Sequence, residues 1–261
     1  MSNRNGLRQI IFLTGAGISA PSGVHTFRES NGLWQKHNVE LACTTIYRHS
    51  QEHAAFVNAV RRNVAKSHPN ACHKLISKTQ RKYGDHISVY TTNIDDLHEQ
   101  CGTDVSHLHG KITHLRCESC EYKMHVGTGF QFRLDIPCPL QCKPGACLRT
   151  DVVLFNEDCD KTYELLRLQL KTASEDTLFI VIGSSMLIGI WQYVLTDAQK
   201  IFVNTDLSLC HEMADYFDIV ICGDCCDKRV LQQIQHCINT HMSAHHVVSH
   251  QVETHATQQK V

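Results

Sequence analysis

A run of small residues, Gly15-Ala16-Gly17-Ile18-Ser19-Ala20-Pro21-Ser22-Gly23, leads to Phe27-Arg28 and directly follows the apolar stretch Ile10-Ile11-Phe12-Leu13. That order reads as a buried strand, a glycine turn and a helix. Glycines there let the backbone approach a phosphate, and the first turn of a helix offers N–H groups to it. The dinucleotide fingerprint Gly-x-Gly-x-x-Gly starts here but is not completed: residue 20 is alanine and the next glycine is Gly23. The loop suits a nucleotide, though not in the usual dehydrogenase manner. An ordinary strand-to-helix turn is the competing reading.

Further along, Cys117-Glu-Ser-Cys120 is half of a metal site, and Cys138, Cys142 and Cys147 supply the other half. Two cysteine knuckles at this distance predict tetrahedral thiolate zinc; a site of four thiolates is closed and structural. Cys138 and Cys142 are the favoured second pair, with Cys147 as the alternative. Thr91-Thr92-Asn93-Ile94-Asp95-Asp96 places an amide and a carboxyl two residues apart, on one side of an extended chain. Both can face a ligand, or Asp95 or Asp96 can cap the next helix. His107-Leu108-His109-Gly110 supplies imidazoles suited to general-base work near neutral pH, although 19 histidines in the chain leave position to choose among them.

These groups need a scaffold. Short, branched, nearly continuous apolar runs at Gln9–Thr14, His86–Thr92, Thr177–Gly183, Lys200–Asn204 and Asp218–Cys222 read as strands buried on both faces. Helical stretches alternate with them at Gln51–Lys66, Asn70–Lys82, Asp160–Lys171, Met186–Gln199 and Leu207–Tyr216. Phe56, Val60 and Val64 form one apolar stripe. The alternation predicts an α/β fold with a doubly wound parallel sheet. Residues 113–150 interrupt it with five cysteines and three prolines, and are expected to need a metal to fold. The expected catalytic domain spans 1–238, and 239–261 is expected to be a solvated, flexible, histidine-rich tail.

The 261 residues are 42% hydrophobic and 20% charged, enough for a packed core. A net charge of −1 leaves no electrostatic footprint for nucleic acid or an anionic membrane. The longest apolar run, 178–190, is too short and too broken to span a bilayer. Fourteen cysteines, two close groups of them at metal-ligand spacing, and no apolar signal core predict a reducing intracellular compartment, the cytoplasm first.

The expected strands end in Gly183-Ser184-Ser185, Asn204-Thr205-Asp206 and Gly223-Asp224-Cys225, besides the loops already named, which makes a polar rim along one sheet edge. Taken in order, these residues resemble the sirtuin family of NAD-dependent protein deacylases, from about Gln9 to Leu231, with Leu148-Arg149 and Val152-Val153-Leu154-Phe155-Asn156-Glu157 adding to the match. The resemblance implies a Rossmann-like NAD domain, a small zinc-ribbon lobe, and an acyl-lysine protein substrate in the cleft between them. It puts Gly15, Ala16, Gly17 and Ser19 on NAD phosphates and ribose, and Phe27 and Arg28 on a cofactor loop. It puts Thr92, Asn93, Ile94 and Asp95 at the nicotinamide pocket, with Asn93 catalytic beside His109 as the base. Gly183, Ser184 and Ser185 follow the phosphates and ribose, Asn204, Thr205 and Asp206 the adenosine ribose, and Cys225 the adenine. The implied reaction joins the acyl oxygen to the nicotinamide ribose, releases nicotinamide, and ends in free lysine and O-acyl-ADP-ribose.

Departures qualify the resemblance. Thr92 stands where the family usually has glutamine, His25 where most members have proline, Asn156 where the substrate strip Phe155–Glu157 usually has glycine, and Ser184 where threonine is usual. The chain looks most like the bacterial and mitochondrial desuccinylase branch, which holds a substrate carboxylate with a tyrosine and an arginine three residues later. Val57 and Val60 take those places here, which predicts acetyl or longer apolar acyl groups over succinyl; a register one residue along brings in Arg61. A mono-ADP-ribosyltransferase or NAD hydrolase on the same scaffold is the alternative, and an NAD-sensing module without turnover is a third reading.

Overall fold

The computed structural model describes residues 8–25, 49–154, 157, 161–185 and 197–243. In chain order the elements are β1 (Gln9–Thr14), α1 (Ala16–Ser19), α2 (Gln51–Val64), α3 (Ala71–Tyr83), β2 (Ile87–Thr91), α4 (Leu97–Gln100), β3 (Ser106–His107), β4 (Gly110–Cys117), β5 (Lys123–His125), β6 (Ile136–Pro137), β7 (Cys147–Val152), α5 (Lys161–Lys171), β8 (Thr177–Ile182), β9 (Gln199–Asn204), α6 (Leu207–Met213), β10 (Ile219–Cys222) and α7 (Lys228–Ser243).

Six strands form one sheet in the order β10-β9-β8-β1-β2-β3, every neighbour parallel. Alternation along β1 feeds two cores: Ile10 and Phe12 pack on one face, Ile11 and Leu13 on the other. Cys72 and Ile76 of α3 and Val230, Ile234 and Ile238 of α7 close the first face. Leu166 and Leu170 of α5 and Leu209 and Met213 of α6 close the second. Both faces are covered, as the nearly unbroken apolar runs require. The strand order reverses between β1 and β8, and ligands of open α/β sheets lie beyond the strand ends at such a point.

The second sheet is antiparallel, in the order β5-β4-β7-β6. This lobe extends from Gly110 to Val152, slightly beyond the expected 113–150. Its core is shared: Ile112, Leu115 and Phe132 pack against Phe56, Val57, Val60 and Val64 of α2. Asn58 pins the contact, giving its Nδ2 to the Phe132 carbonyl at 2.9 Å and taking the Phe132 amide at 2.7 Å. Thus α2 serves the metal lobe rather than the parallel sheet.

The expected boundary at 238 is corrected. Helix α7 runs to Ser243, and His241 is buried, with Nε2 3.2 Å from the Gln9 carbonyl. Arg8 donates to the His241 carbonyl at 2.7 Å. Val230, Ile234 and Ile238, four apart, are the apolar stripe that marks this helix in the sequence. The histidine-rich composition hides it. Of the expected helix Met186–Gln199, residues 186–196 lie outside the described residues and Gln199 begins β9.

Candidate active site

The loops after β1 and β8 meet at the reversal point. The Gly15 amide donates to the Ile182 carbonyl at 3.0 Å and the Gly17 amide to the Gly183 carbonyl at 2.8 Å. A Cβ on Gly15 would come 2.7 Å from the Ser184 Cα, and one on Gly17 would come 2.7 Å from the Gly183 Cα. These glycines therefore let two loops touch. Gly183 has φ +64, and a Cβ on it would lie 2.5 Å from the Ile18 nitrogen. Gly183→Ala is expected to cost about 2–4 kcal/mol, from left-handed strain plus backbone collision. Gly23→Ala, at φ +83 with nothing within 4 Å, should cost only about 1–2 kcal/mol. Thermal denaturation of the pair checks the difference; equal losses would refute the collision.

The chain after β2 is irregular, not extended, yet it still turns both ligand candidates inward. Asn93 is buried and gives its Nδ2 protons to the Gly15 carbonyl at 3.1 Å and to Ser19 Oγ at 3.0 Å, so Oδ1 is the atom it has left to present. Asp95 is also buried; its Oδ1 accepts from the Leu97 amide at 3.1 Å. The capping role foreseen for this pair thus falls to Asp95 rather than Asp96. Burial pushes the Asp95 carboxyl up, opposed by the Leu97 amide and the Ser19 hydroxyl. An acid held in so dry a place suits hydrogen bonding to an amide. Thr92 donates its hydroxyl to the Thr14 carbonyl at 3.3 Å. Ile94 accepts the Ile112 amide through its carbonyl at 2.8 Å, tying the loop to β4.

His107 and His109, two residues apart, reach successive carbonyls of this loop. His107 Nδ1 lies 2.8 Å from the Asn93 carbonyl and Nε2 lies 2.9 Å from Glu99 Oε1. Both partners, a backbone carbonyl and a carboxylate, are acceptors. Burial pushes Glu99 up, but His107 and Lys111 outweigh it and hold the carboxyl at about 2. This brace under Asn93 went unnoticed in the sequence, where the acid lies eight residues from its imidazole. His109 Nδ1 donates to the Thr92 carbonyl at 3.0 Å, which leaves the Nε2 lone pair unprotonated. Burial lowers the His109 pKa below its ordinary value, opposed by that bond. His109 is half-buried, and its position is fixed further by the Val153 amide on its carbonyl at 3.0 Å. Among the described residues His107 thus has both ring nitrogens engaged, and His109 only Nδ1. A deeper pair, His73 and His98, lies beneath: His98 Nε2 meets Thr14 Oγ1 at 3.0 Å, and the two rings are 4.8 Å apart.

A parallel-sheet crevice, a buried amide and carboxyl, and an open imidazole now stand together at the reversal point. The model of the Sir2 family matches residues 15–189, which contain all of them. The chain belongs to the Sir2 family. It is similar to the NAD-dependent protein deacylase of Campylobacter jejuni (strain RM1221), 37% identical over 182 residues, covering 69% of this chain and 75% of that one. The NAD-dependent protein deacylase SIR2rp3 of Trypanosoma brucei brucei is 39% identical over 168 residues, covering 60% and 65%. A solved complex of a Sir2 homologue with NAD has the same fold, with a TM-score of 0.71 at 24% identity over 89% of this chain and 92% of that one.

In this Sir2 chain the four thiols Cys117, Cys120, Cys138 and Cys142 converge, all Sγ atoms within 4.8 Å of one another. The separations are 3.6 Å for Cys117–Cys142, 3.9 Å for Cys120–Cys138 and 3.8 Å for Cys138–Cys142. Tetrahedral zinc with Zn–S of about 2.3 Å requires about 3.8 Å between sulfurs. The donor set therefore fits a structural zinc. Cys147 turns instead to the Gly145 carbonyl at 3.4 Å, so the open choice among the second-half cysteines resolves to Cys138 and Cys142.

The remaining expected residues divide. Asn204 gives its amide to the Ser184 carbonyl at 3.0 Å, and Asp206 caps α6 through the Ser208 and Leu209 amides. Thr205 lies in the bend between them, and Ser185 is half-buried after Ser184. The Cys225 Sγ lies 3.9 Å from the Gly17 carbonyl, so the rim closes on the glycine loop. The Glu157 carboxylate is engaged by Arg149, by Arg116 at 3.1 Å and by the Leu154 amide at 2.9 Å. Its own amide donates to the Leu154 carbonyl at 3.1 Å. Glu157 thus braces the lobe. Phe27, Arg28, Phe155 and Asn156 lie outside the described residues.

Proposed function

We propose that this protein is an NAD-dependent protein-lysine deacylase. The observation that carries the reading is His109: its Nδ1 proton is fixed on the Thr92 carbonyl and its Nε2 has no hydrogen-bond partner among the described residues, near the buried Asn93–Asp95 pair at the reversal point. The relatives named as deacylases support it. NAD, when bound, supplies an activated ribose carbon from which nicotinamide departs. Asp95 and Asn93 would hold the carboxamide end and orient it, in a pocket that excludes water. His109 Nε2 would take the proton from a ribose hydroxyl. An acyl-lysine peptide would enter the same cleft. We place the protein in a reducing compartment, the cytoplasm first, because a thiolate zinc site needs reduced sulfur. Among the described residues, no helix is long and apolar enough to cross a membrane.

For the acyl group we propose acetyl or longer apolar chains, on the apolar face of Val57 and Val60. One observation favours a second reading, acidic acyl groups. Arg61, one turn on from Val57, is 1% exposed, with Nη1 on the Gly127 carbonyl at 2.6 Å and with Nε and Nη2 lacking hydrogen-bond partners among the described residues. Burial lowers its pKa to about 10. A buried guanidinium in that state is the residue on this helix able to repay a carboxylate. Mass spectrometry of products from NAD with acetyl-, longer-acyl- and succinyl-lysine peptides tests both. Nicotinamide with O-acyl-ADP-ribose is expected. NAD consumed without peptide deacylation would instead establish the transferase or hydrolase. On the first reading Arg61→Met leaves acetyl turnover within about threefold. If succinyl turnover dominates and Arg61→Met removes it by about tenfold or more, the apolar reading fails.

A further inference from the structure

Consecutive carbonyls of the loop after β2 are each taken by β3 and the chain that follows it. The Thr92 carbonyl is met by His109 Nδ1 at 3.0 Å, that of Asn93 by His107 Nδ1 at 2.8 Å and that of Ile94 by the Ile112 amide at 2.8 Å. The middle tie continues into a carboxylate. His107 Nε2 lies 2.9 Å from Glu99 Oε1 in α4, and the same oxygen accepts Lys111 Nζ at 2.9 Å. Lys111 stands at the root of the zinc lobe, opposite Asp151 in the pairing of β4 with β7. One oxygen of Glu99 thus gathers the Asn93 loop, through His107, and the first strand of the lobe, through Lys111. The other oxygen, Oε2, is buried without a hydrogen-bond partner among the described residues. An oxygen withheld from water and left unpaired costs stability, and an apolar side chain of similar volume would serve the fold about as well. Stability alone therefore does not account for an acid at this place.

We infer that Glu99 is a positioning residue for the departure of nicotinamide: through His107 it fixes the Asn93 carbonyl, and with it the aim of Asn93 and Asp95, relative to the lobe. The inference deepens the deacylase reading and rests on it. Glu99 acts at one remove, through an imidazole that is itself buried. A misplacement of about 1 Å near a reacting centre costs up to about 10²-fold in rate. Among the described residues neither Glu99 nor His107 is bonded to the glycine loop or to the ends of β8 and β9, so the places expected to hold the ADP-ribose part should not feel the change.

The test replaces the acid by an uncharged residue of similar volume. In Glu99→Met, kcat for nicotinamide release in the presence of acyl-lysine peptide is expected to fall about ten- to hundredfold. The affinity for ADP-ribose, which has no nicotinamide to place, is expected to hold in calorimetry, with the melting transition unchanged. A parallel loss of kcat and ADP-ribose affinity would make Glu99 structural only, and an unchanged kcat would remove it from the reaction; either result overturns the inference. Should Glu99→Met fail to fold, the isosteric Glu99→Gln decides. It keeps an acceptor for His107 without the charge, and kcat is expected to fall about threefold or more. Parental turnover in that variant overturns the inference. A parent chain that binds ADP-ribose yet releases no nicotinamide sinks the deacylase reading and this inference with it. A parent chain that turns over beside an unaffected Glu99 variant sinks this inference alone.

Discussion

His109→Ala is expected to lower the rate of acyl-lysine removal by about 10²–10⁴-fold, the usual worth of a positioned general base. Nδ1 of this ring is committed to the Thr92 carbonyl, so the variant deletes the proton acceptor and one loop contact together. NAD affinity should change far less, because Asn93 and Asp95 are held by Ser19, Gly15 and Leu97 rather than by His109. Turnover and NAD binding measured side by side check this; a parallel collapse of both would mean the residue is structural. The pH profile adds an independent sign. Burial disfavours the imidazolium, so the folded pKa lies below the ordinary 6.5. The base form therefore persists below pH 6.5, and the acid limb of kcat/KM should fall only as pH drops through that lowered value. The limb should vanish in the variant's residual activity. A limb at or above pH 6.5 would assign it to another group.

Loss of the ribbon metal is the second large effect. Cys120→Ser should remove zinc and abolish activity, because the four sulfurs are the only closed thiolate cage on the antiparallel sheet among the described residues. Structural zinc sites hold roughly 10–16 kcal/mol of apparent binding free energy in small peptides, far above what the thin sheet has in reserve. The damage should spread along a defined path. β7 pairs with β4 through Gly110 and Val152, and the Val153 amide holds the His109 carbonyl. Limited proteolysis should therefore cut between residues 118 and 146 first, while the parallel sheet resists. Cys147→Ser is the control: its sulfur faces the Gly145 carbonyl, and zinc content should stay at about one ion per chain in the ribbon. Zinc lost from the Cys147 variant and kept in the Cys120 variant would reverse the ligand assignment.

Some of this was legible in the residues alone. Apolar runs such as Ile10–Leu13 and Leu178–Ile182 can be satisfied only by a sheet covered on both faces, so the doubly wound class followed from composition along the strands. Cysteine spacing marked the zinc lobe, and the polar ends of the strands marked the rim, because local sequence decides strand ends and knuckle turns. What the sequence could not decide was which side chain faces which. Val57 and Val60 read as pocket residues, and the fold also packs them in the core shared with Leu115 and Phe132, while Arg61 beside them is buried with Nε and Nη2 unpaired among the described residues. Glu157 read as substrate-facing and is held by Arg116 and Arg149. His107 and His109 are equivalent by type and spacing. Only the fold sets His107 between Asn93 and Glu99 and leaves His109 Nε2 without a partner among the described residues, because hydrogen-bond partners up to 17 positions apart meet only when β2, β3 and α4 pack. The chain by itself determined the elements and the chemistry at their ends; the packing of distant carbonyls, carboxylates and helices decided which of those groups remain available to react.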